Sequence, residues 1–336
     1  MNQHYPLSKS ILAEIKKANN ILINVHRNPD LDTVGSATAL SLALKQLGKK
    51  TTLVCPNEIP ENFKFLKGTE SVETIDFRKF NVYPAKPKGR SGDLFLILDS
   101  GSYDIVTGSK EILVPEIQKI IIDHHLTNNW DNYLQRLLDT KASATAEIVY
   151  RLLTDWNINF DKDISTSLLS GIAGDTVFFK YPKNPGVTFQ IVNDLIKKGA
   201  DYNLLISQFN DGLSFGFVKL LGEFLNNMKQ EGRLPAGRQG FIWSAVSFEA
   251  FEKYGRPKGA RETAADSFFR SVKGVDFGVA LIEEEKGKIS MSFRSKQNFD
   301  VSKIAEKFGG GGHKNAAGAT SKESINQIIK KIKAST

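Results

Sequence analysis

Five histidines occur in this 336-residue chain, at positions 4, 26, 124, 125 and 313, and all but His4 stand beside carboxylates or glycines that could do chemistry. His26 is followed by Asp30 and Asp32, with Gly35 and Ser36 just beyond. Asp123, His124 and His125 are contiguous. Asp99 closes the apolar run Leu94–Leu98, and Asp175 sits in the segment Gly171–Phe179. This donor set mixes imidazole nitrogen with carboxylate oxygen and contains no sulfur, which suits Mn²⁺, Mg²⁺ or Co²⁺ better than a structural zinc. Four aspartates with two histidines are more than one ion needs. A carboxylate bridging two ions about 3.5–4 Å apart is the usual solution for phosphate hydrolysis, because the ions activate water and clamp both oxygens of an in-line displacement. Such a site needs no protein nucleophile, and no Ser or Cys here is a convincing one. Within Asp123-His124-His125, one ring can bind metal while the carboxylate holds its neighbour in place.

A second constellation lies near the C-terminal end. Gly309, Gly310, Gly311 and Gly312 precede His313 and Lys314, and Ala316-Ala317-Gly318 follows. Consecutive glycines let the backbone approach a ligand closely and turn N–H groups toward an anion. Arg294 ends an upstream strand-like run and suits bidentate phosphate binding.

The elements that must position these residues can be read from periodicity. Ile21–Val25, Thr51–Cys55, Leu94–Leu98 and Lys119–Ile122 are runs of strand length, and three of them deliver a carboxylate or histidine at their ends. Ser36–Leu47 has helical spacing, with Gly35 and Ser36 expected to begin the helix and Gly48 to follow it. Thr145–Leu153 and Asp163–Ile172 also read as helices. The βαβ alternation predicts an α/β fold with a parallel sheet covered on both faces, and in such sheets ligands bind outside the carboxyl ends of the strands. Pro182–Pro185 breaks the pattern, and a helical region follows from Val187 to about Met228. Strand-like runs at Phe241–Val246, Phe277–Glu283 and Lys288–Phe293, a helical run at Gly259–Val272 and a last helix at Ser321–Lys333 predict a smaller α+β domain. The expected organisation is a catalytic domain over 1–186, a helical linker over 187–236 and a substrate-binding domain over 237–336. Tyr83–Gly92 reads as a loop and Arg233–Gly240 as a turn-rich insertion.

The chain carries a net charge of +8 with a pI of about 9.3, which favours acidic partners such as phosphate. Its one cysteine, Cys55, excludes an intrachain disulfide and fits a cytoplasmic setting. Lys9, Lys16 and Lys17 interrupt the N-terminal stretch, so no signal peptide is expected. Apolar runs such as Ile120–Ile122 are too short to span a bilayer, so no membrane partner is expected.

Taken in order, His26-x-x-x-Asp30-x-Asp32 with Gly35-Ser36, Asp99, Asp123-His124-His125, Asp175 and Gly309–His313 with Ala316-Ala317-Gly318 resemble the DHH phosphoesterases and their C-terminal DHH-associated domain. The resemblance covers nearly the whole chain. It implies two divalent ions, Mn²⁺ first among them, with Mg²⁺ or Co²⁺ as alternatives. His26, Asp30 and Asp99 would hold one, and Asp32, Asp99, His124 and Asp175 the other. His125 would support the site and touch the phosphate, and Asp99, Asp123 and His125 are the residues expected to serve catalysis. Arg294, Gly310, Gly311, Gly312 and His313 would hold the substrate as the smaller domain closes over it. Among the branches, length and layout resemble the oligoribonucleases that act on nano-RNA and on adenosine 3′,5′-bisphosphate. RecJ-type exonucleases add further domains, and family II pyrophosphatases lack the glycine–histidine motif. Val177-Phe178-Phe179 departs from the family's commoner threonine–aspartate–threonine–glycine run.

The expected partner is therefore a short single-stranded RNA or a nucleotide. No obligate protein partner is evident, and a homodimer stays open. One competing reading keeps the chemistry and changes the substrate to a cyclic dinucleotide. Another is a nucleotide-binding protein without turnover, which would have no use for six ligands around a water.

Overall fold

A computed structural model describes residues 5–77, 93–108, 117–126, 130, 133–210, 213–232, 240–296 and 299–336. The expected loop at Tyr83–Gly92 and all but Gly240 of the insertion expected at Arg233–Gly240 lie outside the described residues. The chain divides into two compact units, Met1–Gly212 and Leu213–Thr336.

The first unit is built on α1 (Ser8–Lys17), β1 (Asn20–Asn24), α2 (Leu31–Gln46), β2 (Lys50–Cys55), β3 (Val72–Thr74), β4 (Asp93–Leu98), α3 (Tyr103–Thr107), β5 (Gln118–Asp123), β6 (Gln135–Leu138), α4 (Thr145–Asp155), α5 (Lys162–Asp175), α6 (Pro185–Lys197) and α7 (Tyr202–Asn210). Its six strands run parallel in the order β3-β2-β1-β4-β5-β6. Alternate residues of each central strand serve opposite faces. Leu94, Leu96 and Leu98 join the larger core beneath the helices, whereas Phe95 and Ile97 join a smaller one with Val106 and Trp130. Burial on both faces explains why these strands read as unbroken apolar runs.

Chain order reverses between β1 and β4, which is where an open α/β sheet leaves a crevice at its carboxyl edge. Helix α2 begins at Leu31, one turn earlier than the Gly35–Ser36 start expected from the apolar periodicity. Asp30 is its N-cap, with the side chain accepting from the Thr33 amide at 3.0 Å. The cap outweighs periodicity because it satisfies an amide the first turn leaves free.

The second unit contains α8 (Phe215–Asn226), β7 (Lys229–Glu231), β8 (Phe241–Val246), α9 (Phe248–Lys253), α10 (Ala260–Thr263), β9 (Phe277–Glu285), β10 (Lys288–Ser295), α11 (Ser302–Glu306), β11 (Gly311–His313), β12 (Ala316–Ser321) and α12 (Ile325–Lys333). The sheet order is β11-β12-β10-β9-β8-β7, antiparallel except for β8 with β9. The helical run over Gly259–Val272 is not one helix. After α10 it widens to a π-helix at Ala264–Phe268 and tightens to a 3₁₀ turn at Phe269–Ser271. The change of pitch seats buried Phe269 directly on Gly278, where a Cβ would come within 2.3 Å of its Cβ. The last helix starts at Ile325 rather than Ser321, because Ser324 and Gln327 form a capping box there.

The described residues of the 187–236 stretch, read as a linker, contribute to both cores. Ile191, Val192, Leu195 and Leu205 pack in the first unit, and Phe217, Leu220 and Phe224 in the second. No helix among the described residues is long and apolar enough to cross a membrane.

Candidate metal centre

The carboxyl ends of β1, β4 and β5 and the facing ends of α2 and α5 bring together the side chains singled out by type. Three overlapping clusters result: His26, Asp30 and Asp99; Asp32, His124 and Asp175; and Asp99, His124 and His125. Within each, the potential donor atoms lie within 4.8 Å of one another. His26 Nε2 is 3.5 Å from both Asp30 Oδ2 and Asp99 Oδ2, while His124 Nε2 is 3.0 Å from Asp175 Oδ2 and 3.5 Å from Asp99 Oδ1. Asp99 is thus common to two of the clusters. Its backbone is left-handed, with φ 52°, and its amide donates to the Ile122 carbonyl at 3.0 Å, which turns the carboxylate off the strand line.

Ring orientation is set from behind. His26 Nδ1 is 2.8 Å from the Arg27 carbonyl, an arrangement in which Nδ1–H donates and Nε2 is the atom that faces the cluster. Buried Asp123 accepts from the His124 amide at 2.8 Å and from His125 Nδ1 at 2.8 Å. It therefore fixes His125 with Nε2 directed away, and Asp123 joins none of the three clusters.

Electrostatics mark the site as built for cations. Burial and the charges of Asp99, Asp175 and Asp30 push Asp32 well above the usual carboxylate range, although Ala146 N–H donates to it. Burial likewise raises Asp175, with His124 opposing and Asp99 adding to the rise. For His26, burial works to lower the pKa, but hydrogen bonds and charge from Asp30 and Asp99 outweigh it and raise the ring to about 11. His125 rises to about 9 on the same balance, with Asp123 as the main partner. His124 Nε2 is buried without a well-formed hydrogen bond among the described residues. A buried ring nitrogen with no well-aligned hydrogen bond, 3.0 Å from Asp175 Oδ2 and among crowded carboxylates, is what a divalent ion would satisfy, so these residues fit a divalent metal.

Several contributors carried no sequence signal as ligands. The Thr145 and Ala146 amides, at the start of α4, donate to Asp32 at 2.6 and 2.9 Å, and Thr145 Oγ1 donates to Asp99 Oδ1 at 2.9 Å. Ser36 Oγ donates to Asp32 at 3.2 Å, and Lys183 Nζ lies 3.2 Å from His124 Nδ1. The close approach of α2 to α5 depends on glycine. A Cβ on Gly35 would sit 2.3 Å from the Ser167 carbonyl oxygen, and one on Gly171 would sit 2.7 Å from Ala146 Cβ and 3.0 Å from Asp32 Oδ1. The small-residue run Ser143-Ala144-Thr145-Ala146 was the available hint of a tight helix start.

In the second unit, Arg294, Ala316 and His313 occupy one row across β10, β12 and β11. Arg294 is partly buried, with Nε 3.5 Å from Asp266 Oδ1. The glycines are more structured than an open loop. Gly311 and Gly312 pair with Gly318 and Ala317, and the Gly309 and Gly310 amides donate to Glu306 and Ala305 carbonyls. Those two amides close helix α11 and are not turned toward an anion. Gly309 and Gly310 also line a cavity of about 520 Å³ with Arg261, Glu284 and Ser290.

Comparison with known proteins agrees with this arrangement. Residues 20–172 match the DHH family, N-terminal domain, and residues 242–335 match the DHHA1 domain. The chain thus joins a DHH N-terminal domain to a DHHA1 domain. Among its relatives is a bifunctional oligoribonuclease and PAP phosphatase of Thermus thermophilus, 29% identical, with 93% of this chain and 88% of that protein aligned. A probable bifunctional oligoribonuclease and PAP phosphatase of Streptococcus mutans is 26% identical over 96% of this chain and 98% of that protein. The crystal structure of an exopolyphosphatase-related protein from Bacteroides fragilis superimposes with a TM-score of 0.87 at 24% identity, covering 100% of this chain and 97% of that one, which places the two in one fold.

Proposed function

We propose that this chain is a two-metal phosphoesterase that hydrolyses short oligoribonucleotides and 3′-phosphoadenosine 5′-phosphate, with Mn²⁺ as the working ion. The observation that carries the reading is Asp99, whose carboxylate belongs at once to the His26–Asp30 cluster and to the His124–His125 cluster. Nitrogen and oxygen donors without sulfur suit Mn²⁺, and the relatives that align along nearly their whole length are named for this pair of substrates. His26, Asp30 and Asp99 are the ligands assigned to one ion, and Asp32, Asp99, His124 and Asp175 those of the other. Divalent cations held there would supply Lewis acidity toward phosphate and water.

The remaining chemistry belongs to the chain. Asp123 holds His125 through Nδ1, which leaves Nε2 as the ring atom to meet a phosphate oxygen. Thr145 fixes the shared carboxylate, and the α4 amides fix Asp32. Arg294, Gly311, Gly312 and His313 are the candidates for holding the substrate's terminal phosphate, whereas the Gly310 amide is committed to the Ala305 carbonyl.

The test is a series of labelled RNAs from two to about twenty nucleotides, with 3′-phosphoadenosine 5′-phosphate and cyclic di-AMP alongside, at fixed Mn²⁺. Dinucleotides cleaved fastest, with rates falling as length grows, is the expected result. A rate that rises with length, or turnover of the cyclic dinucleotide alone, would overturn it.

A further inference from the structure

Immediately after Asp175 the backbone does something unusual. Val177, Phe178 and Phe179 all have left-handed φ values, at 51°, 52° and 64°. Non-glycine residues rarely adopt this conformation, and a β-branched one least of all. The turn is held by amide bonds from Phe178 to the Ala173 carbonyl at 2.7 Å, from Phe179 to Thr176 Oγ1 at 2.9 Å and from Tyr181 to the Thr176 carbonyl at 2.9 Å. Large side chains of the turn and of α6 are exposed. Val177 is 42% exposed, Tyr181 45% and Phe189, on the first turns of α6, 49%. The Phe179 and Phe189 rings stand 6.3 Å apart, and Lys180 Nζ lies 5.2 Å from the centre of the Tyr181 ring.

This surface is tied to the metal cluster by short bonds. The Lys183 amide donates to Ser143 Oγ at 3.0 Å, and Ser143 Oγ also bonds Thr188 Oγ1 of α6 at 2.8 Å. Thr188 in turn donates to Glu147 of α4, the helix whose Thr145 holds Asp99. Lys183 Nζ itself reaches His124. Aromatic faces interleaved with lysines, fixed beside a phosphate-chemistry site, match the chemistry of single-stranded nucleic acid, in which bases stack and the backbone is anionic.

We propose that Tyr181 and Phe189, flanked by Lys180 and Lys183, form a base-stacking subsite that takes the nucleobase adjoining the scissile phosphate. The inference rests on the reading of this chain as an enzyme of short oligoribonucleotides, and it adds how one nucleoside is gripped. The lysines neutralise the adjoining backbone phosphate while the rings accept any base, so the subsite gives affinity with little sequence preference.

The experiment compares a diadenosine monophosphate with two analogues, each lacking one base, in the full-length Mn²⁺-loaded protein. Tyr181→Ala and Phe189→Ala are each expected to raise KM for the intact dinucleotide by about five- to a hundredfold, the worth of one stacked base, with kcat held within a few-fold. One analogue, already weak with the parent protein, should be unaffected by either change. Tyr181→Phe and Phe189→Trp should restore the parent KM. Equal loss on intact and abasic substrates, or no loss on either, would overturn the subsite. So would a change in solution mass of the two alanine variants with kinetics unaltered, which would mark the patch as a contact between copies of the chain. Equilibrium binding of the same dinucleotides separates the two levels of the argument. Base-dependent, ring-dependent binding without turnover keeps the subsite and overturns the proposed activity. Absence of both binding and turnover overturns both.

Discussion

Gly171→Ala tests whether the contact between α2 and α5 sets the geometry of the metal centre. The added Cβ would lie 2.7 Å from Ala146 Cβ and 3.0 Å from Asp32 Oδ1. Carbon atoms in contact rest roughly 3.5–4.0 Å apart, so the neighbouring segments must separate by about 1 Å. Overpacking of this kind costs about 1–3 kcal/mol, and the better helix propensity of alanine offsets about 1 kcal/mol of it. The expected net loss is about 1 kcal/mol, with an upper bound of about 2 kcal/mol. Function should suffer more than stability, because displacing a reacting constellation by about 1 Å can cost on the order of a hundredfold in rate. Urea unfolding of the chelated protein gives the stability change, and Mn²⁺ titration with dinucleotide turnover gives the functional one. Gly222→Ala is the control. It lies inside helix α8 with nothing within 4 Å of an added Cβ, so it should stabilise by about 1 kcal/mol and leave Mn²⁺ affinity alone. Parent-like stability and undiminished Mn²⁺ affinity in Gly171→Ala would refute the reasoning.

Asp99→Asn should lower both Mn²⁺ stoichiometry and turnover, by more than the roughly 10–100-fold that follows loss of an outer partner of a metal ligand. Full metal content in that variant, measured by elemental analysis, would count against a shared ligand. Mn²⁺ affinity should rise with pH through the neutral range, about tenfold per unit for each proton displaced, because His26 holds its proton up to about pH 11 in the metal-free site. The sign for stability is the reverse. A raised His26 pKa stabilises the metal-free fold fully below its ordinary 6.5, and that contribution is lost as pH rises toward 11. A pH-independent Mn²⁺ affinity in calorimetry would contradict the assignment of His26. Arg294→Ala should leave Mn²⁺ affinity unchanged, since its ion-pair and hydrogen-bond partners Asp266, Ser292 and Phe293 all belong to the second unit. KM should rise about ten- to a hundredfold, the worth of a charged contact of roughly 1.5–3 kcal/mol. Metal loss in that variant would place Arg294 in a different role.

The donor types were legible from sequence because chemistry restricts them and strands announce themselves. An apolar run buried on both faces is a local signal, and so is the carboxylate or histidine that ends it, as at Val25–His26, Leu98–Asp99 and Ile122–Asp123. Helix starts were less legible, since Asp30 caps α2 through a side-chain bond that hydrophobic periodicity does not report. What only the tertiary structure decided is which groups meet. Asp32 and Asp175 are far apart in the chain and share a cluster because α2 and α5 touch backbone to backbone at Gly35 and Gly171. Thr145 looks like any helix-start threonine until α4 is packed with its amides on Asp32. The left-handed run at Val177–Phe179 could not be read from residue types that disfavour it, because the bonds that enforce it come from Ala173, Gly174 and Thr176 in the folded turn. Local preference is set by a few neighbouring residues. The distances that make a metal centre are set by long-range packing, which no window of sequence contains.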